Sequence, residues 1–498
     1  MLAMLKEERS DSYSHILKYT GLFGGVQGIS ILVGIIRNKL VAVILGPQGM
    51  GLVSLFNSTI KLVSDSTNFG LSMSAVKRIS EDFDSGNERA VEHAIDVVRY
   101  WSFLTALFGT LLCVALSPLL SWFTFSWNAH VLHFICLSPM VGLMAVTGGE
   151  LAILKGVRQL RHIASISVYN VIAALIISVP IYYFFGDKGI VPSLVLMALA
   201  QMLLTIGCSY KLYPLRIRKV EGLFRDGISM VKLGTAFVVA GMFGSGADFL
   251  IRSYLNNVAD IDTVGLYNAG VMLTMTYVGM VFSAMETDYF PRLSGVCHYG
   301  VTFNVTVNRQ IEVMILLAAP MLVAFMIGLP ILLPLLYSGK FMPVVGMMQV
   351  VVLAMYFRAL KLPVAYIPLA KGDSKSYMLL EVIDDIAIVF LVVFFFSKLG
   401  LFGAGIGLTL ASIFDLLLVY SYCTWKYKFT VSASVLQYAA IQLPIGMLAY
   451  VITLFGSGSV MYWLGGSTLF FISAMVSITI LKSKTNLWKA MMNKIHRK

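Results

Sequence analysis

Arg37-Asn38-Lys39-Leu40-Val41-Ala42-Val43-Ile44-Leu45-Gly46-Pro47-Gln48-Gly49-Met50-Gly51-Leu52 closes one long apolar run and opens the next. Each run extends for about 20 residues, the length an α-helix needs to cross the hydrocarbon core of a bilayer. Between them stand only Gly46-Pro47-Gln48-Gly49-Met50-Gly51, the composition of a tight turn. The stretch reads as two membrane helices joined by a short connection. The same pattern continues through all 498 residues. Hydrophobic residues make up 58%, mean hydropathy is +0.83, and only 12% of residues are charged, about half the roughly 25% of soluble domains. A soluble globule cannot hide that much apolar surface, so a soluble enzyme, a coiled coil and a disordered chain are excluded. The runs are continuous rather than alternating, which argues for membrane helices over an outer-membrane barrel.

Outward from the first hairpin, the hydropathy predicts fourteen spans. They lie near 20–45, 50–76, 98–123, 130–154, 163–185, 189–210, 229–255, 264–290, 310–337, 344–370, 376–397, 401–425, 433–455 and 459–481. Residues 1–18 are polar and mixed in charge, and no small-residue cleavage site follows the first run, so that run is expected to stay as an anchor. With the N-terminus in the cytoplasm, 27 of the 37 Lys and Arg residues fall in inside segments and only Lys188, Lys340 and Lys398 fall outside. That asymmetry is a positive-inside signal, and it supports an even number of spans. It also accounts for a net charge of +12 that in a soluble chain would suggest nucleic acid; no nucleic-acid partner is expected. Cys113, Cys136, Cys208, Cys297 and Cys423 form no CxxC pair and read as apolar fillers, without disulfide or metal.

The chain repeats itself. Gly51-Leu52 opens span two and Gly265-Leu266 opens span eight; Arg78 and Ser80 close the first, Arg292 and Ser294 the second. Lys155-Gly156 after span four matches Lys371-Gly372 after span ten. The offset equals six spans, an even number, so the halves share one orientation, as in transporters built from parallel repeats. The expected domains are an N-terminal lobe at 1–210, a basic cytoplasmic linker at 211–228, a C-terminal lobe at 229–425, and a final helix pair with a basic tail at 426–498. The substrate site of such a design lies between the lobes near mid-membrane.

Seven bases fall inside spans: Arg37, Lys39, Lys61, Lys232, Arg252, Arg358 and Lys361. An ionisable residue there costs roughly 2.5–3.5 kcal/mol on insertion scales and is a functional candidate. Lys232 sits at an inner end and is expected to snorkel. Arg37, Lys39, Lys61, Arg252, Arg358 and Lys361 are the candidate substrate-binding residues, because cations in a low-dielectric wall suit an anion such as phosphate or diphosphate. Local pairing competes with that reading. Lys61 and Asp65 are four apart, as are Asp248 and Arg252, so each pair can neutralise itself on one helix face. Arg37, Lys39, Arg358 and Lys361 have no acid within a turn and are the stronger candidates.

Asp65, Glu150, Asp248, Glu381, Asp384, Asp385 and Asp415 are acids inside spans. Asp65, Asp248, Glu150 and Asp415 are candidates for ion coupling or for charge partners. Asp384 and Asp385 are adjacent, so a helix points them about 100° apart and argues against a shared metal. Glu286 and Asp288, near an inner end, read as cap or headgroup contacts, and His162 and His298 as loop residues. There is no P-loop, dinucleotide-binding glycine pattern, HExxH or GxSxG. Asp260-Ile261-Asp262 has the spacing of a glycosyltransferase metal motif, but it sits in a short loop and reads as loop chemistry. No catalytic residue, cofactor or metal is expected.

The stretch from Arg37 to Leu52 resembles the first hairpin of Wzx-type O-antigen flippases, polysaccharide transporters of the MOP superfamily. Val264-Gly265-Leu266-Tyr267, Phe290-Pro291-Arg292-Leu293-Ser294 and Ala370-Lys371-Gly372-Asp373 extend the likeness across spans one to twelve. The resemblance implies an all-α integral membrane fold of two six-helix lobes around a cationic cleft lined by spans one, two, seven and eight. It implies a non-enzymatic flippase that moves undecaprenyl-diphosphate-linked oligosaccharide from the cytoplasmic to the periplasmic leaflet of the bacterial inner membrane. Arg37, Lys39, Lys61 and Arg252 map onto cleft-lining helices, while Arg358 and Lys361 fall on span ten. Membrane lipid, a polysaccharide polymerase and chain-length proteins are the partners implied. Many relatives have twelve spans; the extra pair occurs in peptidoglycan-precursor flippases, which form an alternative reading. A MATE-type cation-coupled antiporter would need acids to dominate the cleft. A membrane polymerase or glycosyltransferase would need a large catalytic loop and would leave the repeat unexplained.

Overall fold

The computed structural model describes residues 2–125, 130–215, 222–296 and 300–484. The described residues are helical, joined by short turns and 3₁₀ segments. The helices are α1 (Leu2–Thr67), α2 (Leu71–Asp84), α3 (Glu88–Phe125), α4 (Val131–Gly156), α5 (Leu160–Phe185), α6 (Ile190–Leu212), α7 (Leu223–Val258), α8 (Ile261–Val271) and α9 (Gly279–Val296). Then come α10 (Gly300–Leu336), α11 (Val345–Ala365), α12 (Ile367–Ala370), α13 (Ser374–Tyr427), α14 (Ala433–Thr453) and α15 (Val460–Lys484). A π-helical segment, Met272–Tyr277, lies between α8 and α9. Every predicted span falls on this helical framework. Eight segments among the described residues are long and apolar enough by themselves to cross a bilayer, and one of these, Arg161–Leu212, contains two predicted spans. The protein is an all-α, multi-pass membrane protein.

Glycine divides the two longest helices. α1 has 66 residues, roughly 100 Å at 1.5 Å per residue, far beyond a hydrocarbon core of about 30 Å. Gly46, with φ 66° and ψ −169°, breaks it where the sequence predicts a turn. That backbone region is essentially open only to glycine, and Pro47 starts the next helical run at the position proline tolerates best. Gly400, with φ 59° and ψ −143°, breaks α13 between predicted spans eleven and twelve. The two arms of α13 then pack so closely that a Cβ on Gly407 would come 2.7 Å from the Leu391 carbonyl oxygen. A Cβ on Gly405 would meet the Met347 carbonyl of α11 at 2.8 Å. Gly407→Val is therefore expected to cost about 1–3 kcal/mol through overpacking, read as a lower melting midpoint in detergent. Gly207→Ala, which meets open space on α6, is the control that should leave the midpoint unchanged.

Contacts divide the chain into two compact units, Met1–Val264 and Gly265–Lys498. In the first unit α3 packs on α4, α4 on α6, and α5 on α1 and α6. α7, which the repeat offset assigns to the second half of the sequence, packs on α1, α2 and α3 within this first unit. Its C-terminal end is tied down by Asn256 and Asn257, whose side-chain amides donate to the Thr124 and Phe123 carbonyls at 2.9 and 3.0 Å. Those carbonyls end α3 and have no partner inside their own helix. In the second unit α11 lies against α10 and both arms of α13, and α10 carries the final pair, α14 and α15.

Candidate functional site

In the first unit Arg37 and Arg252 have partners on neighbouring helices. Arg37 is half-buried on α1; its Nε donates to Ser178 Oγ on α5 at 3.0 Å, and Nη2 lies 3.4 Å from Met197 Sδ on α6. Lys39, two residues on, sits about 200° around the helix and is also half-buried. Arg252 on α7 is 8% exposed. It forms the predicted pair with Asp248 at 2.7 Å and donates through Nε to Ser54 Oγ on α1 at 2.8 Å. The Asp248 carboxylate itself remains half exposed. Lys61 and Asp65 have the spacing for a pair but make no ion pair among the described contacts: Lys61 is exposed, and Asp65 lies beside Ser245 of α7.

Glu150 on α4 belongs to a buried cluster. Its two carboxylate oxygens accept from Arg99 of α3, Oε1 from Nε at 2.9 Å and Oε2 from Nη2 at 3.3 Å. Ser209 Oγ donates to Oε2 at 2.5 Å, Arg99 Nη2 also donates to the Tyr213 carbonyl, and the guanidinium lies 4.3 Å above the Tyr210 ring. Both side chains are under a tenth exposed. Glu150 therefore serves as a charge partner that ties α3, α4 and the end of α6 together. Arg99 reads from sequence as one more inside basic residue. The signal that could have found it is Glu150 itself, an acid inside a span with no base within a turn.

In the second unit α11 carries Arg358 and Lys361 in contrasting surroundings. α13 fixes the register of α11: Thr409 Oγ1 donates to the Val350 carbonyl at 3.0 Å and the Tyr420 hydroxyl to the Leu360 carbonyl at 2.9 Å. The Lys361 side chain is 12% exposed, with Nζ 2.6 Å from Asp415 Oδ2 and 3.8 Å from Glu381 Oε1. Asp384 interacts electrostatically with the same group. Sequence spacing leaves Lys361 without an acid within a turn, yet both arms of α13 bring carboxylates to it. Arg358 is half-buried one turn earlier and makes no hydrogen bond or ion pair among the described residues. A guanidinium has five donors, so Arg358 can bind an oxyanion without first breaking an internal pair.

The Lys371-Gly372-Asp373 turn is built into a second polar cluster. Asp373 caps α13 by accepting from the Ser376 N–H at 3.1 Å, and its Oδ2 accepts from Lys426 Nζ at 2.6 Å and the Tyr427 hydroxyl at 2.9 Å. Donation from Lys426, then from Ser376, holds the Asp373 carboxyl well below the usual carboxylate range. A depressed pKa stabilises the fold above the unfolded value, about 4, and that contribution disappears as pH falls through the folded value. Asp373→Asn is expected to melt earlier than wild type near neutral pH, with the gap closing in acid. Thermal melting between about pH 7 and about pH 3 checks this.

Other sequence readings find simple places. Asp260 Oδ1 accepts from the Thr263 N–H at 2.7 Å, an N-cap for α8, so the Asp260-Ile261-Asp262 spacing is helix-start chemistry. Cys113, Cys136, Cys208 and Cys423 are free thiols. Cys297, His298, the linker residues 216–221 and the tail 485–498 lie outside the described residues, as do the side chains of Lys232, Glu286 and Asp288.

The fold is that of MOP-superfamily transporters. A structure titled "Lipid II flippase MurJ, inward closed conformation" superposes with a TM-score of 0.66 at 14% identity, covering 93% of this chain and 99% of that one. An inward-facing MATE-family multidrug resistance transporter superposes at 0.63 and 15% identity, covering 81% and 96%. By sequence, the family model described as "Polysaccharide biosynthesis protein" matches residues 16–296, and the chain belongs to that family. A Shigella flexneri protein named "Putative O-antigen transporter" is 23% identical over 393 residues, 75% of this chain and 90% of that protein.

Proposed function

We propose that the protein is a flippase for undecaprenyl-diphosphate-linked oligosaccharide, an O-antigen or similar polysaccharide repeat unit, moving it from the cytoplasmic to the periplasmic leaflet without covalent chemistry. The family membership and the O-antigen transporter relative support the cargo class. The observation that carries the mechanism is Arg358, a base in a predicted membrane span with no partner among the described residues. In this reading the lobes at 1–210 and 229–425 alternate around a cationic cavity, the sugar diphosphate enters it, and the polyprenyl tail stays in lipid. Arg358 grips the diphosphate; Arg37, Lys39, Lys61 and Arg252 contribute positive potential, and Lys361 acts through its acids. The termini and the linker 211–228 lie in the cytoplasm of a bacterial inner membrane, following the positive-inside asymmetry. A polysaccharide polymerase and chain-length proteins would receive the product.

A deletion strain tests the cargo. Lipid-linked oligosaccharide should accumulate on the inner leaflet and disappear on complementation with the wild-type chain. A deletion that accumulates no lipid-linked sugar rules out this cargo.

A further inference from the structure

The acids around Lys361 outnumber its charge. Asp415 lies 2.6 Å and Glu381 3.8 Å from the ammonium, and Asp384 interacts with Asp415, Lys361 and Glu381. With all three carboxylates ionised, one base would face three acids inside the membrane-spanning part of the second unit. A buried uncompensated charge costs several kcal/mol. Two oxygens make the deficit specific: Asp384 Oδ1 and Asp415 Oδ1 are buried and have no hydrogen-bond partner, and Asp415 is only 6% exposed. Each is an acceptor lacking a donor. No group of three metal-ligating side chains among the described residues is placed to hold a metal ion. A proton needs only one oxygen, and the acid it makes is itself a donor.

We propose that Lys361, Glu381, Asp384 and Asp415 form a proton-binding site, and that the proton is taken up when an oxyanion binds Arg358. The inference rests on the reading of Arg358 given above. The groups facing the site are Lys361 of α11, Glu381, Asp384 and Asp385 of the first arm of α13, and Asp415 of the second arm; Arg358 stands one turn before Lys361 on α11. The nearby Tyr289 and Tyr420 hydroxyls are committed to the Pro363 and Leu360 carbonyls. Arg358 and Lys361 are three apart, hence neighbours on one helix face. While Arg358 is open, its positive charge helps the acids stay ionised. A bound anion cancels that charge and adds its own, so proton binding becomes more favourable. Linkage is reciprocal, so the proton strengthens anion binding by the same factor. Anion and proton then travel together, which lowers the charge carried per cycle.

Calorimetry on the purified full chain in lipid nanodiscs tests this, with inorganic sulfate as a probe that does not titrate near neutral pH. Repeating the titration in buffers of different ionisation enthalpy counts protons. Wild type should take up about one proton per sulfate, with affinity falling about tenfold per pH unit over the responsive range. Asp384→Asn should bind sulfate without proton uptake, and Arg358→Gln should bind little sulfate. Asp415→Asn, measured the same way, serves if Asp384→Asn does not fold. Sulfate binding by wild type without proton uptake overturns the linkage. If wild type binds no sulfate, the Arg358 reading fails and the linkage fails with it. Infrared spectra of the unliganded proteins then decide the proton site alone, since a protonated-carboxyl band that persists above the pH range where exposed carboxylates ionise must be present in wild type and missing in Asp384→Asn.

Discussion

Arg358→Ala is expected to lower translocation of lipid-linked oligosaccharide by about ten- to a hundredfold while leaving the fold intact. The magnitude follows from hydrogen bonds to charged groups, worth roughly 1.5–3 kcal/mol each set, where about 1.4 kcal/mol is a factor of ten. The fold should be spared because Arg358 has no internal partner among the described residues to orphan. Arg358→Lys should recover part of the activity, since it keeps the charge but loses the planar fork that matches a phosphate. Arg37→Ala makes a useful contrast. It removes a bond to Ser178 that holds α1 to α5, so it should affect melting as well as transport. Inner-leaflet accumulation of the lipid-linked sugar, measured beside the melting midpoint, separates the two. Full transport by Arg358→Ala would remove Arg358 from the mechanism.

Arg99→Ala should have the largest effect on stability. It leaves the Glu150 carboxylate buried at 3% exposure with only Ser209 donating to it. Removing one partner of a buried ion pair costs about 3–5 kcal/mol, more than the pair contributes when intact. Arg99→Met combined with Glu150→Met should recover much of that loss, because an apolar pair leaves no uncompensated charge. Single variants that melt like wild type would show that water reaches the pair.

The comparison of these two arginines shows what was legible in sequence. Arg358 reads as a membrane base without a local acid, and it has no partner among the described residues. Arg99 reads as one of many inside basic residues, yet it pairs with an acid 51 positions away. Asp248–Arg252 was legible because four residues make one helical turn and the contact stays within one helix. Lys61 and Asp65 share that spacing but make no ion pair among the described contacts, so spacing permits a contact without requiring it. Lys361 was misleading for the opposite reason, since its acids arrive from another helix.

The sequence by itself determined the class of the protein, the apolar runs that become its helices, and the turn at Gly46. Each follows from a local quantity: the apolar length that a bilayer demands, or a backbone angle that glycine allows. Only the tertiary structure decided which charges are spent on one another and which remain available. Pairing depends on a few ångströms between helices far apart in the chain, and Coulomb attraction in a low-dielectric interior makes those ångströms decisive. Among the six bases, Arg252 thus pairs with Asp248 on its own helix and bonds Ser54 of α1, Lys361 sits beside carboxylates from both arms of α13, and Arg358 has no partner among the described residues.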